Sequence, residues 1–119
     1  MEEYKKWIEK AEEDFDTAIY NIKGNKFEAG AFFLQQSAEK ALKALLIKRM
    51  KELMKTHDLV VLARKLNAPE ETIEHCKKLT VVYLETRYPD TNIAKEIKEE
   101  IENLKDSAKE ILKWTKKNL

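Results

Sequence analysis

Three short stretches place groups capable of chemistry at suggestive spacings. In YLETRYPD, Tyr83 and Arg87 are four residues apart and share one helical face. An arginine offers a phosphate two parallel hydrogen bonds, and a tyrosine adds a hydroxyl or a stacking surface. Tyr88 follows directly. The same residues also read as punctuation: a cation in a last helical turn complements the helix dipole, and Pro89 stops the helix. In QQSAEKALK, Gln36, Lys40 and Lys43 recur at spacings of four and three along an otherwise apolar helix. A polar amide buried there needs a partner, which is another helix, a second subunit or a ligand. In THD, Thr56 or Asp58 suits the start of a helix, leaving His57 as a group fit for general base work or for hydrogen bonding. His75 stands without such neighbours and is expected at the surface. No metal-ligand spacing, glycine-rich phosphate loop or nucleophile elbow occurs. No metal or cofactor is therefore expected.

The elements that must position these groups are all helices. Trp7, Ala11, Phe15, Ala18 and Ile22 write one amphipathic stripe. Gly24 is expected to end that helix in the left-handed conformation, and Asn25 to cap the next one, with Glu28 completing a capping box. The second helix runs from Phe27 to about Leu53. It is apolar nearly all round, which places it at the centre of the fold. LVVLARKL makes a short third helix. NAPE supplies an asparagine cap, an early proline and a glutamate for a fourth helix, which runs to about Tyr88 with Ile73, Cys76, Thr80, Tyr83 and Arg87 on one face. Asp90 to Asn92 offers caps for a fifth, whose stripe is Ile93, Ile97, Ile101, Leu104, Ala108, Ile111 and Thr115. Short loops make consecutive long helices antiparallel. The expectation is an all-α, five-helix up-and-down bundle of four long helices and one short one, forming a single domain over residues 1–119.

Composition sets the outer limits. Lys and Arg number 23 against 22 Asp and Glu, so no net charge draws the chain to nucleic acid. The charge is uneven: residues 1–16 hold seven acids and three bases, whereas residues 39–55 hold six bases and two acids. That basic stretch reads as a solvated helix or a basic face. One cysteine, Cys76, excludes an internal disulfide framework, and its place on an apolar stripe makes it a core residue. No apolar run approaches the roughly 20 residues that cross a bilayer. The first residues lack the apolar core of a secretory signal, so a cytoplasmic protein is expected.

Taken in order, AFFLQQSAEKALKALLI (Ala31 to Ile47), THDLVVLARKL (Thr56 to Leu66) and LTVVYLETRYPD (Leu79 to Asp90) resemble the HEPN domain family. They fall within residues 31–90, about half of the chain. The resemblance implies a five-helix bundle that pairs into a homodimer and acts with a minimal nucleotidyltransferase as a toxin–antitoxin-like or nucleotide-handling pair. It maps an RYP motif onto Arg87 and Tyr88, and a histidine–aspartate motif onto His57 and Asp58. A nucleotide or phosphate ligand would then meet Arg87, Tyr83, Tyr88, Lys40, Gln36 and Asp58. Many family members are metal-independent ribonucleases with an arginine followed, after four to six residues, by a histidine. Here Arg49 and His57 have seven residues between them, and Arg87 has no histidine after it. Three readings stay open: a binding module, a ribonuclease acting on RNA with His57 as base and Arg49 or Arg87 holding phosphate, and a ligand-free protein–protein adaptor.

Overall fold

The computed structural model describes residues 3–85 and 93–119, with side chains for 3–80 and 95–119. These residues form five helices and no strand: α1 (Glu3–Lys23), α2 (Phe27–Met50), α3 (Leu59–Lys65), α4 (Glu70–Glu85) and α5 (Ile93–Asn118). The directions follow from a few contacts. Three residues join α1 to α2, so these run antiparallel. Lys48, near the end of α2, donates to the Leu119 carbonyl just past α5 and sits 5.0 Å above the Tyr4 ring at the start of α1. Thus α2 and α5 are parallel. His75 meets Ser107 at 2.9 Å, and Pro69 and Thr72 at the start of α4 share a pocket with Lys113, Trp114 and Lys117 near the end of α5, so α4 runs antiparallel to α5. The up-and-down bundle expected from the loop lengths is present.

The centre is α2, as its apolar periphery requires. Leu34, Leu42, Leu45 and Leu46 are fully buried, joined by Leu59 and Leu62 of α3, Cys76 and Leu79 of α4, and Ile111 of α5. Burying one such side chain stabilises the fold by about 1.5–3 kcal/mol. Against α1 the contact is made by small residues. Ala11, Ala18 and Ala31 have no exposure, and Ser37 Oγ donates to the Ala11 carbonyl at 2.7 Å. A Cβ on Gly30 would lie 2.6 Å from Ile22 Cγ1, so glycine here sets how closely the two helices approach. Thr115 is fully buried, and its hydroxyl finds no hydrogen-bond partner among the described residues.

The helix ends depart from expectation in four places. Asn25, not Gly24, takes the left-handed conformation, with φ 62°. Lys26 N–H donates to the Asn21 carbonyl at 2.8 Å and Asn25 N–H to that of Ile22 at 3.0 Å. That paired pattern closes a helix C-terminus around one left-handed residue, and asparagine tolerates that role. Asn25 is thereby used up, so the capping box with Glu28 does not form: Lys26 precedes α2 and no side chain caps it. Asn67 repeats the device after α3, with φ 55° and bonds from Asn67 and Ala68 N–H to Arg64 and Ala63, both 3.0 Å. It ends α3 instead of capping α4, which begins at Glu70 after Pro69. Finally, α2 stops at Met50, short of Leu53. Lys51 turns left-handed at φ 51°, and residues 52–58 bring the chain back to seat Leu59 and Leu62 in the core. The last part of the expected fourth helix and the caps expected at residues 90–92 lie outside the described residues.

Candidate functional site at the turn before α3

The turn at residues 56–58 is built from its own side chains. Thr56 Oγ1 accepts from Asp58 N–H at 3.1 Å. Asp58 then caps α3, its Oδ1 accepting from Val60 N–H at 2.9 Å and Val61 N–H at 3.4 Å. This satisfies donors that would otherwise be orphaned at the helix start. On the other side, Leu59 N–H donates to Thr80 Oγ1 at 3.2 Å, which ties the turn to α4. The helical backbone of α4 continues to Glu85, two residues before Arg87.

His57, between the two, leans back onto α2. Its Nδ1 lies 3.0 and 3.2 Å from the two carboxylate oxygens of Glu39, while just over half of its side chain stays exposed. Glu39 is 4% exposed. It accepts from Lys43 Nζ at 2.8 Å and from Gln35 Nε2 at 3.3 Å. Gln35 Nε2 also donates to the His57 carbonyl at 3.1 Å, and Gln36 Nε2 donates to Gln35 Oε1 at 2.7 Å. A chain of hydrogen bonds therefore runs from Gln36 through Gln35 and Glu39 to His57, with Lys43 supplying the countercharge. Burial alone would push the Glu39 carboxyl up. The hydrogen bonds from Lys43, His57 and Gln35, with the Lys43 charge, outweigh it and hold the group below its ordinary value. Glu39 is accordingly a carboxylate.

Of the residues singled out from sequence, this site brings together Gln36, Lys43, His57 and Asp58. Lys40 points elsewhere, pairing with Asp14 of α1, which is 3% exposed. Arg49 does not join His57. It donates to the Leu66 carbonyl at 3.5 Å and to Asn118 Oδ1 at 3.3 Å, at the far end of α2. Ten residues separate it from Glu39 along the helix, about 15 Å at 1.5 Å per residue. The side chain of Tyr83, and Arg87 and Tyr88 altogether, lie outside the described residues. His75, expected at the surface, is half-buried against Ser107. Among the described residues no three His, Cys, Asp or Glu side chains converge as metal ligands. Glu39 and Gln35 were not anticipated. The signal was Gln35, Glu39 and Lys43 at successive spacings of four, which shares Lys43 with the stripe drawn through Gln36, Lys40 and Lys43 and otherwise runs one position before it.

An all-α bundle with a central helix and a polar chain opening at a capped turn defines a class of small helical domains. Within it, the chain belongs to the HEPN domain family, whose model matches residues 4–119. Two solved structures are similar. TT1696 from Thermus thermophilus shares 26% identity at a TM-score of 0.88, each chain covered in full. ST0689, an archaeal HEPN homologue, shares 27% at 0.81, covering 95% of this chain and 94% of that one. No curated protein matches.

Proposed function

We propose that this HEPN domain is a homodimeric module that binds a nucleotide or a related phosphate ligand and acts with a minimal nucleotidyltransferase. The observation that carries the reading is the chain from Gln36 to His57. A hydrogen-bonded network in a helical core is costly unless complete, and this one reaches the protein surface through a half-exposed imidazole. Asp58 fixes the turn that presents His57, and Gln36 supplies an amide at the other end. Thr80 holds α4 against this turn. Arg87 is assigned the phosphate, with the tyrosines beside it. The ribonuclease reading loses Arg49 as the cation beside His57 and rests on Arg87 for the phosphate.

The test is thermal unfolding with a panel of ribonucleotides, for wild type, Arg87→Ala and His57→Ala. Ligand at 100 times its dissociation constant adds about 2.7 kcal/mol, a shift on the order of 10 °C in a domain this size. The expected result is a shift in wild type that is lost in both variants while their helical circular dichroism persists. No shift with any nucleotide would leave the adaptor reading.

A further inference from the structure

A groove of about 180 Å³ lies between the start of α4 and the end of α5. Thr72 lines it while only 6% exposed, and its hydroxyl has no hydrogen-bond partner among the described residues. A hydroxyl so buried is costly to leave unpaired, and a group entering the groove would satisfy it. The backbone beside it is in the same condition. Ile73 N–H bonds the Pro69 carbonyl at 3.1 Å, but the N–H groups of Glu70, Glu71 and Thr72 have no partner among the described residues. Pro69 and Thr72, which bracket these donors, both line the groove. The positive end of a 16-residue helix therefore opens onto it.

The facing helix supplies charge and an apolar wall. With His75 against Ser107 and the helices antiparallel, Thr72 falls level with Glu110 and the start of α4 with Lys113. Lys113 and Lys117 line the groove and form no ion pair among the described residues, although Glu71 and Glu110 line it too. Half-buried Trp114 stands between the two lysines in sequence and shares the wall with Pro69.

The geometry points to a binding site for a small aromatic carboxylate, its ring packed on Trp114 and Pro69 and its carboxylate met by the Thr72 hydroxyl, the first turn of α4 and the two lysines. An apolar cavity of about 150 Å³ holds one benzene ring, so the groove suits a body of that size. Two carboxylates balance two lysines in the lining, so no net charge draws in a dianion such as phosphate. Directed donors and ring packing decide instead, the usual division of labour in a small-molecule site. This site shares no residue with the proposed nucleotide site.

The test uses the full chain with Trp7→Phe, which leaves Trp114 as its one tryptophan. Indole emission is followed on titration with benzoate, with neutral benzamide and with inorganic phosphate. Calorimetry on the unsubstituted chain repeats each titration, and circular dichroism checks every variant. Benzoate should bind saturably, with benzamide and phosphate each at least tenfold weaker. Thr72→Val keeps the side-chain shape and loses no hydrogen bond in the free protein, yet it should weaken benzoate roughly tenfold, as should Lys113→Ala. No saturable binding of benzoate below about 10 mM overturns the site. Benzamide or phosphate binding as tightly as benzoate overturns the ligand class, and an unchanged Thr72→Val overturns the assignment of the hydroxyl. Thermal shifts with nucleotides should be the same in Thr72→Val as in wild type, so the two proposals fail separately.

Discussion

A carboxyl group as buried as Glu39 would ordinarily be held protonated, since desolvation disfavours its charge. Lys43, His57 and Gln35 reverse that, and the net result is a lowered pKa. Its contribution to stability is therefore fully present above the ordinary value of 4.5 and is lost as the pH falls through the lower folded value. Replacing Glu39 with Gln strands the buried Lys43 charge and should cost about 3 kcal/mol near neutrality. Urea unfolding of both proteins at neutral pH and then well below 4.5 checks this, because wild-type Glu39 protonates in acid and the gap should narrow. A gap that is constant with pH would mean the carboxylate is not paired. At this scale the sequence was only partly legible. Asp58 announced its capping role through its type and place. Gln35 and Glu39 did not, because α2 is apolar on nearly every side and its pattern cannot say which polar residues face inward.

Helix existence was easy to read and helix ends were not, for a reason visible in Asn25 and Asn67. Asparagine serves equally as an N-cap or as the left-handed residue that closes the preceding helix, and connections of three and four residues put both jobs within reach. Here closing α1 and α3 takes precedence. Gly30 posed the opposite difficulty. An isolated glycine in a helix normally weakens it, so Gly30→Ala would gain about 1 kcal/mol on propensity alone. The added Cβ would nonetheless lie 2.6 Å from Ile22 Cγ1, near the branch point of that side chain and not at a flexible tip. Overpacking of this kind costs about 1–3 kcal/mol, so the substitution should lower Tm by several degrees. Ile22→Ala removes the clash. In a double-mutant cycle by thermal unfolding, Gly30→Ala should then become neutral or stabilising, and simple additivity would show that the two helices do not meet at this point.

For the whole molecule, the stripe periods and short loops gave the bundle and its alternating directions without any long-range information. The distribution of charge was harder. The basic stretch 39–55 suggested a solvated helix or a basic face, yet Lys43 is buried against Glu39, Lys40 is paired with Asp14, and Lys48 and Arg49 hold the end of α5. Those partners come from segments far apart in sequence, which a reading of one helix at a time cannot supply. Cys76 met its expectation as a core residue: it has no exposure, and burial, aided by the Asp58 charge, pushes its thiol up to about 12. Since only thiolate reacts, an aromatic disulfide reagent should label folded protein far more slowly than unfolded chain. Rapid labelling without denaturant would mean that α4 separates readily from the core. The lone thiol is thus a stopwatch set into the bundle at the seam of α3 and α4. It starts only when that seam parts, and its rate, compared with unfolding seen by circular dichroism, distinguishes a local breath from collapse of the whole.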